Sequence, residues 1–275
     1  MKVIVRPPRE GEWRICRMLL PETFADVSTR EYLIAVRDEA PHTVAAASFR
    51  RGTNAITHLR LHVVPAFRRR GVGSQIIESL AHEGARTIEG AVEVTREANA
   101  VAFCERNHFE RIDGLTTVEA EIAEMREYMH RLRGRIPPPP DATVIPLSAA
   151  PMDQVARLHS RHVAHEDELN PWRARLAELP GIDQSPVAMI GGRVAGILLW
   201  GLEGTTAVVR TRVVEPLYQG GWVNLTLLAE GLDGAWNSGA RRVRFSYSDT
   251  NRDTQKLAAR FRAQVVSVVT RYSRT

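Results

Sequence analysis

Apolar and polar positions alternate in short bursts along both halves of the chain, the period of half-buried strands. In the first half the bursts fall at Val3–Arg6, Glu31–Arg37, Thr43–Arg50, Ile56–Val64, Ala91–Thr95 and Thr116–Ile122. In the second they fall at Thr143–Leu147, Ser185–Ile190, Arg193–Leu202, Thr205–Val214, Arg241–Tyr247 and Val265–Tyr272. Helical spacing intervenes at Glu12–Leu20, Gly73–Gly84 and Asn99–Arg106, then at Ala123–Gly134, Met152–Leu179, Leu225–Ser238 and Thr254–Phe261. Pro171 should break the long segment Met152–Leu179. Antiparallel strands followed by a strand–helix–strand–helix section predict a mixed α/β (α+β) fold.

The run Arg135-Ile-Pro-Pro-Pro-Pro-Asp141 interrupts this pattern, because consecutive prolines fit neither a helix nor a central strand. The expected division is a first domain at 1–134, a linker at 135–142 and a second domain at 143–275. The two halves resemble each other. VVPAF at 63–67 matches VEPLY at 214–218, so that Pro65 falls on Pro216, an offset of 151 residues. Val92–Thr95 falls on Val243–Ser246 at the same offset, Val44-Ala45 on Val194-Ala195 and Val3-Ile4 on Val144-Ile145. Matches in one order indicate a tandem duplication.

Composition narrows the function classes. Hydrophobic residues make up 44% and charged residues 25%, ordinary for a globular protein. No apolar run is long enough to span a bilayer and the N-terminus lacks an apolar signal core, so a cytoplasmic protein without a membrane is expected. Cys16 and Cys104 are too few for a disulfide framework. The net charge is +5, divided as +1 over residues 1–134 and +4 over 135–275. Lys2 and Lys256 are the only lysines; the remaining basic residues are arginines. No single element concentrates the excess, which argues against nucleic acid as a partner. His159, His162 and His165 recur every third residue, but a straight helix spreads them too widely to converge on one ion, so no metal is expected.

The stretch that carries chemistry is Leu59–Ser74, LRLHVVPAFRRRGVGS. A strand runs through a proline turn into three arginines, two glycines and a helix. Gly71 and Gly73 allow bare backbone near a ligand, and the helix N-terminus and the arginines favour an anion. The GK[ST] ending of a phosphate loop is absent, and so is a GxGxxG fingerprint.

Val63, Pro65, Arg68, Gly71 and Gly73 match the acetyl-CoA motif V-x-P-x-x-[RQ]-x-x-G-x-[GA], and the segment resembles the GCN5-related N-acetyltransferases (GNAT) over residues 3–122. Asn99–Arg106 with Asn107-His108-Phe109 is similar to that family's next helix, with His108 in place of its glycine. The resemblance implies two tandem acyl-CoA N-acyltransferase-like domains, each a mostly antiparallel sheet flanked by helices. It implies acetyl-CoA as cosubstrate, with the backbone of Leu61, His62 and Val63 along its pantetheine arm. Arg68, Arg69, Arg70, Gly71, Val72, Gly73 and Ser74 would hold its pyrophosphate, with Asn99 beside them. The partner would be a small-molecule or protein amine.

The catalytic residues depart from the family pattern. Cys104 stands where many relatives carry a tyrosine acid, and Thr57 where some carry a glutamate base; Glu93, His58 and His62 are the substitutes. A cysteine can donate a proton to a leaving thiolate, or pack as a small hydrophobe. A histidine can accept the proton of an amine. The second half retains Pro216 and Gln219, but aligns Trp222 with Gly71 and Asn224 with Gly73, and is expected to be a degenerate domain. Two readings follow: an N-acetyltransferase, or a non-catalytic acyl-CoA-binding or assembly protein.

Overall fold

The computed structural model describes residues 2–21, 30–39, 42–95, 98–162 and 179–275. By their contacts these form two compact units, Met1–Leu115 with Ser267–Thr275, and Thr116–Val266. The proline run therefore lies inside the second unit and does not delimit the units; the chain passes from one to the other within two strands. These are β6 (Glu110–Glu121) and β12 (Gln264–Arg274).

In unit 1, β1 (Val3–Arg6), β2 (Glu31–Arg37), β3 (Thr43–Arg51), β4 (Ala55–Val63) and β5 (Thr87–Glu93) lie in the order β1-β2-β3-β4-β5, and β12 follows β5. All these pairs are antiparallel except β4–β5. The helices are α1 (Trp13–Leu19), α2 (Val72–His82) and α3 (Ala98–Arg106). One face of the sheet forms a core with Val72, Ile76, Ile77 and Leu80, the apolar stripe of α2, and with Cys104 and Phe109. The other face forms a smaller core, in which Tyr32, Ile34, Val36 and Ala46 pack with Cys16 and Leu20 from α1 and its end.

Unit 2 repeats this order. β7 (Ala142–Pro146), β8 (Pro186–Ile190), β9 (Arg193–Glu203), β10 (Thr206–Val214) and β11 (Arg242–Ser248) lie side by side in sequence order, and β6 follows β11. Only β10–β11 is described as parallel. The helices are α4 (Ile122–Arg133), α5 (Met152–His162), α6 (Trp222–Asn237) and α7 (Arg252–Arg260). The predicted Met152–Leu179 is thus a helix as far as His162; residues 163–178, with Pro171 and His165, lie outside the described residues. Val223, Leu227 and Leu232 of α6 and Met125 and Met129 of α4 share a core with Leu198 and Trp200 of β9.

The last strand of each half is held by charge as well as backbone. Glu119 of β6 is 7% exposed and pairs with Arg242 and Arg244 of β11 at 2.6 and 2.8 Å. Arg271 of β12 forks onto both oxygens of Asp113, and Arg274 reaches Glu78 of α2 at 2.8 Å. The predicted strand Thr116–Ile122 begins at Glu110, six residues earlier. Glu110, Arg111 and Asp113 hid that start in the sequence, since the hydrogen-bonded partner of Asp113, Arg271, comes from the far end of the chain. The predicted strand Ala91–Thr95 runs instead over Thr87–Glu93.

Tyr272 is the apolar anchor of β12 in unit 1. It is 7% exposed, belongs to the α2-side core and pairs with Gly90 of β5. Tyr272→Ala should lower stability by ~3 kcal/mol, the loss typical of truncating a buried aromatic ring. Urea unfolding of the full chain measures it; a change within about 0.5 kcal/mol, the scale of surface substitutions, would mean that the strand is not integral to the unit.

Candidate active site

The site in unit 1 begins with an irregularity in β4. His58 has φ +52°, and the registers of β4 with β3 and with β5 both shift across it. This is a β-bulge, which bends the strand and breaks its ladder. The guanidinium of Arg30 donates to the His58 carbonyl at 3.1 Å and to Ser48 Oγ at 3.4 Å. Beyond the bulge the parallel pairing with β5 ends at Leu59–Gly90, although β4 continues to Val63 and β5 to Glu93.

The hydrogen-bond phase says which peptides line the resulting gap. Val64 N–H donates to Val44 C=O, and His62 pairs with Ala46, so peptides 62 and 64 face β3. Those of Leu61 and Val63 face away from β3, into the gap. The resemblance placed Leu61, His62 and Val63 together; the His62 peptide is committed to the sheet and only its side chain remains available. The Val63 carbonyl accepts from Arg68 Nε at 3.0 Å, which fastens the following loop back onto the strand.

That loop delivers the chain to α2. A single turn at Pro65–Phe67 leads through Arg68, Arg69 and Arg70 to Gly71, the N-cap of α2. Gly71 has φ +79°, a left-handed conformation that strains any side chain. Gln75 N–H takes the Gly71 carbonyl, while the N–H groups of Val72, Gly73 and Ser74 in the first turn have no intrahelical acceptor. Val72 is 2% exposed, so its side chain is core and only its backbone belongs to the site. Arg69 and Arg70 are exposed and make no ion pair among the described residues, and Arg70 lies 5.9 Å from the Phe67 ring centre. Gly73 is buried where α3 crosses: a Cβ there would stand 2.8 Å from Phe103 Cε2 and 3.4 Å from Leu61 Cδ2.

The acid and base candidates fall on opposite faces of the sheet. Val92 belongs to the α2-side core, so Glu93 projects to the other face. His62, opposite Ala46 of the α1-side core, projects there too. Glu93 Oε1 accepts from Thr95 Oγ1 at 3.4 Å, and both candidates are half-buried. Cys104 lies on the α2 side and is 7% exposed; burial pushes its thiol up to about 11, and the Glu105 charge adds to the rise. Asn99 is exposed in the first turn of α3.

Tyr272 was not among the sequence candidates. It shares the α2-side core with Cys104, across Gly90 at the last rung before the gap. Burial raises its pKa first, and the charges of Cys104 and Glu105 raise it further. No local signal marks it, because β12 reaches unit 1 from the end of the chain.

The corresponding loop of unit 2 is shifted by one residue from the sequence alignment. Helix α6 starts at Trp222 with Gly221 as N-cap, so Gly221, not Trp222, takes the place of Gly71. Val223, 1% exposed, takes the place of Gly73. The left-handed residue is Gly220, at φ +74°. Gln219 repeats the tie of Arg68, donating to Val214 C=O at 3.4 Å. The later strand is displaced further: Thr87–Glu93 corresponds to Arg242–Ser248, because α6 has 16 residues where α2 has 11. His159 is buried at the third turn of α5, the side chain of His162 is not described, and no metal-binding cluster occurs among the described residues. None of their helices is long and apolar enough to cross a membrane.

Residues 28–111 match the acetyltransferase (GNAT) domain family. Among solved structures, the chain is similar to a GCN5-related N-acetyltransferase from Sphaerobacter thermophilus. That pair is 15% identical with a TM-score of 0.62, over 99% of this chain and 95% of the other. A tandem GNAT protein from the clavulanic acid biosynthesis pathway is 15% identical with a TM-score of 0.64, over 99% and 98%. A GCN5-related glucosamine N-acetyltransferase region in a fungal multi-domain GH3 β-N-acetylglucosaminidase is 12% identical with a TM-score of 0.66, over 99% of this chain and 38% of that one. No curated protein matches the chain by sequence. At these identities the likeness is one of fold, and it extends over both units.

The contact at Gly73 makes a direct test of the α2–α3 geometry. Gly73→Ala should lower stability by ~1–3 kcal/mol through overpacking against Phe103, and Phe103→Leu in the same chain should recover most of it. Denaturant unfolding of the single and double variants measures this. Additive losses would mean that the two residues do not constrain each other.

Proposed function

We propose that this chain, which has the fold of tandem GNAT proteins and whose residues 28–111 match the acetyltransferase (GNAT) domain family, transfers through unit 1 the acetyl group of acetyl-CoA to a primary amine. One observation carries the reading: the β4–β5 ladder ends at Leu59–Gly90, and the peptides of Leu61 and Val63 turn into a gap that leads to the Gly71-capped end of α2. An extended amide chain can pair with those two peptides, while a pyrophosphate meets the open N–H groups of Val72, Gly73 and Ser74 and the charges of Arg69 and Arg70. Arg68 is better understood as a fastener, since its Nε is taken by Val63.

Acetyl-CoA supplies the activated thioester; the protein supplies position, a polar environment and proton transfer. A neutral amine would attack the carbonyl carbon, forming the new C–N bond. An N–H facing the gap at Leu61 or Val63 would stabilise the charge that develops on oxygen. The amine loses a proton to His62 or Glu93, directly or through water, on the α1-side face. As the C–S bond breaks, the sulfur takes a proton from the opposite face, where Cys104 and Tyr272 remain protonated because burial disfavours their anions. The placement of bases on one face and acids on the other favours this reading over a non-catalytic acyl-CoA-binding protein. A cytoplasmic setting fits an acetyl-CoA-dependent reaction.

Titration of the full chain with acetyl-CoA, followed by turnover with a panel of small amines and peptides, tests it. The Arg69→Ala, Arg70→Ala double variant should bind at least ~10-fold more weakly, since charge-assisted hydrogen bonds contribute ~1.5–3 kcal/mol each. Unchanged affinity would put the ligand elsewhere; binding without turnover of any amine would favour the non-catalytic reading. Cys104→Ala should slow turnover by less than the ~10²–10⁴-fold typical of losing a general acid. A larger loss at unchanged acetyl-CoA affinity would make this thiol the proton donor.

A further inference from the structure

Unit 2 repeats the splayed strands with one exchange of chemistry. The β10–β11 ladder ends at Val208–Arg244, although β10 continues to Val214 and β11 to Ser248. Glu215 N–H donates to Ala195 C=O, as Val64 does to Val44, so the peptides of Arg212 and Val214 face the gap. Arg212 is paired with Leu198 of β9, just as Leu61 is paired with Ala47 of β3. An arginine therefore stands where unit 1 has the leucine beside its candidate pantetheine channel. Paired residues share a face, and Leu198 packs under α6, so the Arg212 side chain extends to the side of α6 and α7.

Arg212 is half-buried there. Its Nη2 donates to Oγ1 of Thr254, itself 7% exposed, at 3.3 Å. No carboxylate among the described residues lies within ion-pair distance of it. Burial lowers its pKa, and the through-space charge of Asp253, in the first turn of α7, offsets only part of that. Other half-buried arginines of this unit are paired with carboxylates: Arg244 with Glu119 and Glu203, Arg126 with Asp233. A guanidinium has five donors, and removing one from water without a counterion is unfavourable. An anion that enters the gap would complete it.

We propose that the gap between β10 and β11 is a carboxylate-binding site, in which Arg212 and Thr254 hold the carboxylate of a small monocarboxylic acid. The charge balance selects a single negative charge. One guanidinium faces the gap, Asp253 opposes a dianion, and the loop before α6 carries Gln219 and Gly220 in place of the arginines of unit 1. Val223 stands at the position of Gly73 with its side chain packed into the core towards Gly196 of β9. The guanidinium fork matches the two oxygens of a carboxylate. Leu257, three residues beyond Thr254 on α7 and half-buried against the core, suits an acid with an apolar tail. This site does not depend on acetyl transfer in unit 1.

The test uses the full chain labelled with ¹⁵N-arginine and titrated separately with butyrate, benzoate, inorganic phosphate and coenzyme A. Butyrate or benzoate should shift one Nε–Hε signal saturably, and that signal should be the one missing from Arg212→Leu. Calorimetry with benzoate should then find binding at least ~10-fold weaker in Arg212→Leu, which restores the residue of unit 1, and weaker also in Thr254→Val. No saturable shift of the Arg212 signal with either acid would overturn the proposal in the unaltered protein. So would a shift produced by phosphate or coenzyme A at lower concentration than by the acids, or benzoate binding that survives Arg212→Leu.

Discussion

The bulge at His58 is the constraint on which the candidate site of unit 1 depends. A residue other than glycine in the left-handed region is strained by ~1–3 kcal/mol, and persists only where its surroundings hold it. Here Arg30 holds it, through the His58 carbonyl and the buried hydroxyl of Ser48. Without the extra residue, β4 would remain in phase with β5 to the end of both strands. The peptides of Leu61 and Val63 would then be ladder partners rather than open groups. The Arg68 tie then fastens the loop to the open end of the strand, and the turn into α2 brings a glycine cap with free N–H groups behind it.

Two kinds of information separate what the sequence made legible from what it did not. The cradle was legible because its chemistry is contiguous: Pro65, the arginines, Gly71 and Gly73 lie within one turn and one helix start, where local conformation is set by the residues themselves. The role of the His62 peptide was not. Which of two adjacent peptides faces a gap is settled by strand register, and register depends on pairing between β3 and β4 rather than on either strand alone. The opposite faces taken by Cys104 and by His62 with Glu93 required the same knowledge. Tyr272 was beyond reach, because it meets Cys104 only after β12 has crossed into the unit containing the first strands.

The repeat shows how a correct frame can hide wrong correspondences. Pro65 with Pro216, and Arg68 with Gln219, hold at one offset because the strand and turn have equal length in both halves. One residue is then lost before α6 and five are gained within it. A fixed offset carried past that point aligned Trp222 with Gly71, and Val243 with Val92. Apolar residues recur often enough in strands that the misaligned valines still matched. Polar and conformational markers were better guides: the tie to the preceding strand, the glycine cap and the end of each ladder locate equivalent positions independently of residue counts.

Equivalent positions then become informative where their chemistry differs. Leu61 and Arg212 have the same strand, the same cross-strand partner position and the same backbone phase, so fold alone cannot account for the exchange. The arginine is half-buried, and burial outweighs the Asp253 charge in setting the direction of its pKa. An apolar chain lying along β4 is compatible with Leu61 and would leave Arg212 desolvated and unpaired along β10. The frame therefore presents two opposed side chains at one place, and under the proposed readings that residue sets which ligand each gap accepts. An open ladder end recurs in both units, and on those readings its selectivity rests on a side chain rather than on the fold that presents it.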